Sequence, residues 1–155
     1  MNSVILHIRH IQQRQRGECL AACAAMALNY LQIPFNYERL KELLEVKWFG
    51  TPFFKIQNLS EMGVVVLYKE RGTLDEVYEH LSHDHPCIAF VKTKELPYWA
   101  DEPTDHAVIV SGLDTTHIFL NDPGFDYAPI KVSRGDFELA WLERDEVYAA
   151  ITRKQ

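Results

Sequence analysis

Apolar residues recur at helical spacing through the first part of the chain. The alanine-rich run from Gly17 to Leu31 predicts a buried helix, and the leucines of segment 37–44 predict a second one. A third helix is expected between Gly50 and Gly63, with Thr51 as its cap and Pro52 at its first helical position. The chain therefore opens with a region that is mostly helical.

Short strand-like runs separated by turn residues dominate the rest of the chain. "VVVLYK" predicts a strand, and the helix that follows opens on Thr73, which fits a capping box with Glu76. Another helix is expected after Ser133. The remaining strand-like runs are 87–93, 106–114, 117–122, 128–133 and 146–152. Helices first and mostly adjacent strands second are typical of an α+β domain, and we expect residues 1–155 to form one such domain.

The charge and the termini narrow the class of protein. Sixteen basic and 22 acidic residues give a net charge of -6, without a basic run, so nucleic acid is not an expected partner. No apolar stretch approaches the ~18 residues of a membrane-spanning helix, and the N-terminus does not resemble a signal peptide. Three cysteines are too few and too odd a set for a disulfide framework. We therefore expect a cytoplasmic protein with free thiols.

One of these thiols has the position of a nucleophile. Cys19 lies in the first turn of the predicted helix, where unpaired N–H groups and the helix dipole favour a thiolate, although a small buried residue would also fit there. His106 opens one predicted strand and Asp122 closes the next, so a base and its orienter can face one cleft. Gln13 can direct its amide at an oxyanion. Together these residues would make up an acyl-transfer site.

Two stretches resemble a known family. "QRQRGECLAACAAM" resembles the opening of papain-like cysteine peptidases, in particular the bacterial family that cuts double-glycine leader peptides from bacteriocin precursors. "HAVIVSGLDTTHIFLNDPG" resembles that family's second block, in which a histidine opens a strand and an Asp-Pro step closes the next. The likeness extends from Gln13 to about Pro123. It implies a papain-like fold, with an N-terminal helical half packed on an antiparallel sheet.

The resemblance also implies roles for individual residues. Cys19 would be the nucleophile, His106 the general base and acid, Asp122 the orienter of His106, and Gln13 an oxyanion donor. Asn121 precedes Asp122 and is the other candidate orienter, because papain uses an asparagine. The substrate would be a peptide or protein, and neither a metal nor an organic cofactor is needed.

Three further residues are predicted to contact the substrate. Trp99 lies in the long irregular segment Lys92–Asp105, just before the candidate histidine. Glu18 and Leu20 flank Cys19, where the family typically has Asp and Gly, and a residue as large as leucine would change the floor of the cleft.

Several alternatives stay open at this point. The same residues would serve an acyltransferase, a deamidase or a toxin-type enzyme, and a binding domain that has lost the chemistry could keep the fold. His80, His83, His85 and Cys87 lie close enough along the chain to suggest a metal site, without matching an established zinc spacing. The family often forms the first domain of an exporter, but no transmembrane run or phosphate loop follows here, so the chain is either stand-alone or excised and association with a transporter stays open.

Overall fold

The computed structural model describes residues 2–100 and 102–155. Its elements are β1 (Val4–Ile5), α1 (Cys19–Tyr30), α2 (Tyr37–Leu43), a 3₁₀ helix (Phe53–Met62), β2 (Val64–Lys69), α3 (Leu74–Ser82), β3 (Cys87–Lys92), two short 3₁₀ helices (Thr93–Glu95 and Pro97–Trp99), β4 (Asp105–Leu113), β5 (His117–Asn121), β6 (Ile130–Ser133), α4 (Arg134–Leu142) and β7 (Tyr148–Arg153). Each predicted helix and strand is present to within a few residues, and the helix expected over 50–63 is a 3₁₀ helix.

One antiparallel sheet runs through the part of the chain that the structure describes. Its order is β2-β7-β3-β4-β5-β6, and β1 pairs with the end of β4. Alternate residues of β4 belong to two different buried clusters, because successive side chains of a strand point to opposite faces. Ala107 and Ile109 lie in one cluster, Val108 and Val110 in the other. The predicted α+β class, with helices packed on an antiparallel sheet, is confirmed.

The two faces of the sheet are covered by different helices. α1 shares a cluster with Ala107 and Ile109, and its buried residues are mostly alanines, whose small side chains let the helix lie close to the strands. α3 and α4 cover the other face, where Phe137 and Trp141 of α4 join the cluster of Val108. α1 therefore packs directly against β4, the strand that carries His106.

The structure has the predicted cap at Thr73, an N-cap at Ser133, and no cap at Thr51. Thr73 accepts a hydrogen bond from the Glu76 backbone N–H at 3.1 Å, as a cap does, and Ser133 caps α4 in the same way. The prediction for Thr51 is wrong. Its hydroxyl donates to the Leu44 carbonyl at 3.0 Å, and Pro52 takes the N-cap position instead of the first helical position. The hydroxyl therefore ties the segment to the end of α2 and does not cap the 3₁₀ helix.

Candidate active site

A glycine fixes the point at which α1 begins. Gly17 has a φ of +86°, and a Cβ there would lie 2.8 Å from both the Gly50 nitrogen and the Trp48 carbonyl oxygen. Glycine tolerates this backbone conformation and this close approach, so Gly17 permits the sharp turn that precedes α1. The helix then starts at Cys19. The Cys19 thiol is partly exposed, whereas Cys23 and Cys87 are buried, and all three are free.

Neighbouring strands bring His106 and Asp122 together. His106 is the second residue of β4 and Asp122 directly follows β5. The pairing of Ile109 with Asn121 places the two diagonally across neighbouring strands, where β4 begins and β5 ends. The Nε2 atom of His106 lies 2.6 Å from Oδ1 of Asp122, and the side chains are 5% and 0% exposed. The carboxylate therefore holds the imidazole ring in one orientation.

The imidazole also contacts the Cys19 thiol. Burial alone would raise the pKa of Cys19, but a hydrogen bond and the charge of His106, with the Ala107 backbone N–H, lower it overall. Burial alone would lower the pKa of His106, but hydrogen bonds to Asp122 and Cys19 raise it to about 10. Since Nε2 faces the carboxylate, Nδ1 is left for the thiol. The pair therefore favours a thiolate beside an imidazolium.

The Asp122 carboxylate is surrounded by donors. Besides His106, it accepts the Gly124 N–H at Oδ1, and the Tyr98 hydroxyl and the Trp99 indole N–H at Oδ2, over 2.8, 2.6 and 2.9 Å. Burial raises the pKa of Asp122, and hydrogen bonds from His106 and then Tyr98 outweigh it and lower that pKa. The sequence reasoning missed Tyr98, and its only signal was its place beside Trp99 in the irregular segment.

Gln13 lies beside the same turn. Its backbone N–H donates to the carbonyl of Pro123, the residue after Asp122, at 2.8 Å. Its side-chain Nε2 donates to the Gln15 carbonyl at 3.1 Å, and its Oε1 is buried without a partner. One of the two amide protons is therefore already engaged, and the other is free to reach an oxyanion.

The three predicted substrate contacts have different surroundings. Glu18 is only 4% exposed and accepts hydrogen bonds from Arg14, Tyr37 and Lys41, and Leu20 is 2% exposed in the core. This burial leaves neither side chain a surface for a substrate, so it does not favour the predicted contacts. Trp99 is partly exposed and lies edge-on to the His106 ring, with centroids 5.0 Å apart. It can therefore border a bound peptide.

The alternative candidates have other partners than His106 and Cys19. Asn121 is buried and donates to the Ile8 carbonyl at 3.2 Å, whereas Asp122 bonds to the histidine. The rings of His80 and His83 each lie about 6 Å from that of His85, with centroid distances of 5.8 and 6.0 Å. Among residues 2–100 and 102–155, no three His, Cys, Asp or Glu side chains are grouped closely enough to hold a metal ion.

Comparison with known proteins decides the family. The sequence matches the Peptidase C39 family over residues 7–147. The chain belongs to the peptidase C39 family. Membership makes it a cysteine-type peptidase and confirms the resemblance found in its sequence. No curated protein matches it.

Solved C39 peptidase structures share the fold. A protein described as a C39-like peptidase from Bacillus anthracis is 18% identical, with a TM-score of 0.83 and full coverage of both chains at 100%. A double-glycine motif protease from an AMS/PCAT transporter, solved with the leader peptide, is 17% identical over 99% of each chain, with a TM-score of 0.74. The peptidase domain of Streptococcus ComA is 18% identical, covering 96% of this chain and 100% of its own, with a TM-score of 0.73.

None of the helices in the described part of this C39 peptidase combines the length and the apolar character needed to cross a bilayer.

Proposed function

We propose that the protein hydrolyses a peptide bond with Cys19 as nucleophile, His106 as general base and acid, and Asp122 as orienter of His106. The observation that carries this proposal is the arrangement in which His106 lies beside the Cys19 thiol and bonds to Asp122, with 2.6 Å between imidazole and carboxylate. The three residues come from α1, from β4 and from the position directly after β5, so folding brings them together from distant parts of the chain. A peptide substrate agrees with the family.

The first half of the reaction forms an acyl-enzyme. The Cys19 thiolate attacks the scissile carbonyl carbon, and the carbonyl oxygen becomes an oxyanion. The first backbone N–H groups of a helix have no partner within the helix, so the Cys19 N–H, together with the Gln13 amide, would donate to that oxygen. The imidazolium of His106 then gives its proton to the leaving amine as the carbon–nitrogen bond breaks.

The second half restores the enzyme. A water molecule gives a proton to the now neutral His106 and attacks the thioester carbonyl. The carbon–sulfur bond breaks, the acid product leaves, and the proton on His106 again faces the thiolate. Asp122 keeps the ring in place and stabilises the imidazolium throughout, without taking the proton itself.

The broader assignments have separate support. We propose that residues 1–155 act as one domain, because both buried clusters include alternate residues of β4. We also propose a cytoplasmic location, for which the support is the three free thiols.

The test replaces Cys19 and traces the oxygen atom of the attacking water into the product. A peptide library is incubated with the wild type and with Cys19→Ala in water enriched in ¹⁸O, and the products are weighed by mass spectrometry. We expect the wild type to yield carboxyl products that carry ¹⁸O, and Cys19→Ala to lose at least about 10³-fold in kcat. Cys23→Ala is the matched control, since this buried thiol lies one helical turn further on.

Two outcomes would refute the proposal. Cleavage that survives in Cys19→Ala would remove Cys19 from the reaction. Wild-type products that carry an added amine and no ¹⁸O would show acyl transfer to an acceptor other than water.

A further inference from the structure

We propose that Tyr98 and Trp99 are positioning residues of this peptidase: they hold Oδ2 of Asp122, so that Oδ1 stays directed at His106. The role rests on the proposed function, because it acts through the orienter of the general base. The Tyr98 hydroxyl and the Trp99 indole N–H both end on that single oxygen, at 2.6 and 2.9 Å. A carboxylate fixed at both oxygens cannot rotate about its own axis.

The segment that carries the two donors is anchored at its base. Thr93 is fully buried, its N–H donates to the Thr104 carbonyl, and its hydroxyl oxygen accepts the Thr104 N–H, both at 2.9 Å. Leu96 is also fully buried and precedes the short 3₁₀ helix Pro97–Trp99. The donors therefore sit on an ordered turn, although the sequence reads as an irregular loop.

Trp99 has a second contact with the same pair. Its ring lies edge-on to His106 and edge-on to Phe125, with centroid distances of 5.0 and 5.2 Å. A Cβ at Gly124 would lie 3.1 Å from the Trp99 ring, so glycine permits this close packing. The indole thus covers the His106–Asp122 contact from one side and limits the access of water, which strengthens the ion pair.

The two groups differ in what they can donate. Burial and then the charge of Asp122 raise the pKa of Tyr98, so its hydroxyl keeps its proton and remains a donor. An indole N–H is a donor only. Loss of either donor would leave the charged carboxylate less stabilised, which raises the pKa of Asp122 and lets the orienter become protonated at a higher pH.

A second tyrosine provides a matched control. Tyr37 donates its hydroxyl to Glu18 at 3.1 Å, and Glu18 is also a buried carboxylate next to Cys19. Tyr98→Phe and Tyr37→Phe therefore remove the same group from two carboxylates, only one of which bonds to His106. A difference between the two variants reports the effect on the base and not the general cost of a lost hydroxyl.

The experiment measures kcat, KM and the pH dependence of kcat/KM for both variants, with Tm recorded for each. We expect Tyr98→Phe to lower kcat about tenfold with KM unchanged, and to move the acidic limb of the profile to higher pH. Tyr37→Phe is expected to keep the wild-type kcat and profile. Trp99→Phe retains a ring and removes the other donor, so it is expected to shift the acidic limb in the same direction, and it serves if Tyr98→Phe does not fold.

Failure of this proposal is distinct from failure of the proposed function. If the folded Tyr98→Phe and Trp99→Phe variants keep the wild-type kcat and acidic limb, while Cys19→Ala is inactive, the positioning role is refuted and the mechanism stands. An equal shift in Tyr37→Phe would refute it as well. Activity in Cys19→Ala would instead refute the mechanism itself.

Discussion

Two buried carboxylates, Glu18 and Asp122, lie near Cys19, and they have different partners. Glu18 precedes Cys19 in the chain and accepts hydrogen bonds from the Arg14 N–H, the Tyr37 hydroxyl and the Lys41 ammonium. Asp122 is distant in sequence and accepts four hydrogen bonds, one of them from an imidazole. Both carboxylates accept a tyrosine hydroxyl, so it is the nature of the cation that separates them.

The Lys41 cation is permanent in the working range of an enzyme. Hydrogen bonds to Glu18 and Glu38 raise the pKa of Lys41, and hydrogen bonds from Lys41 and Tyr37 outweigh burial and lower the pKa of Glu18. Neither group can exchange a proton near neutral pH. Glu18, Tyr37 and Lys41, here called the Glu18 cluster, therefore join the start of α1 to α2. The position of the cluster beside Cys19 does not give it a role in proton transfer.

The His106 cation can be gained and lost during a reaction. Its proton is shared with the Cys19 thiol on one side, and Asp122 stabilises the charged ring on the other. Under the proposed mechanism, Asp122 would contribute to catalysis because its partner His106 titrates and contacts Cys19, and closeness to Cys19 alone would not be enough. The comparison predicts that neutral isosteres at the two positions will behave very differently.

The largest expected effect belongs to Asp122→Asn. All four partners of this carboxylate donate, so an asparagine must point its NH₂ group either at the Trp99 indole N–H or at the Gly124 N–H. If the NH₂ group faces Nε2 of His106, it also favours the tautomer that is protonated at Nδ1, and this tautomer cannot accept the thiol proton. We expect kcat/KM to fall by about 10² to 10⁴. Steady-state kinetics on a peptide found in the library screen would measure this, and a loss below tenfold would contradict the assigned role.

Much of this arrangement could be predicted from the chain. The helical spacing predicted α1, and the resemblance of two sequence blocks pointed to Cys19, His106 and Asp122, which the structure places together. The donors on Oδ2 could not be predicted, because the contact of Tyr98 with Asp122 depends on the path of an irregular segment. The interpretation of Leu20 as a cleft residue used its place beside Cys19 and the glycine that the family typically has there, whereas the helix directs that side chain into the core.

A smaller effect is expected in the pH dependence of Cys19 alkylation. The pKa of Cys19 is lowered and that of His106 is raised to about 10. The thiolate–imidazolium pair therefore exists between the two pKa values: at lower pH the thiol is protonated, and at higher pH the imidazolium loses its proton. At pH 6 an ordinary thiol with a pKa near 8.5 is only about 0.3% ionised. We expect iodoacetamide to label Cys19 at pH 6 at least about tenfold faster than a free cysteine peptide.

Peptide mapping by mass spectrometry would identify the labelled residue. Burial raises the pKa of Cys23 and of Cys87, so both should stay unlabelled in the folded protein and serve as internal controls. The Glu18 cluster should add no inflection between pH 5 and 9, because both of its shifts move away from that window. A rate at Cys19 that rises only above pH 8 would argue against the ion pair.

The smallest effect is expected for Glu18→Gln, the counterpart of Asp122→Asn. Oε1 of Glu18 accepts from both Arg14 and Tyr37, and a glutamine oxygen can replace it there. The new NH₂ group would face Lys41, which also contacts Glu38 at 3.2 Å and can turn toward it. We therefore expect Tm to fall by only a few degrees, and kcat/KM to fall far less than in Asp122→Asn. Thermal unfolding and kinetics on the same preparation would measure both, and a loss of kcat/KM as large as that of Asp122→Asn would show that both carboxylates serve the chemistry.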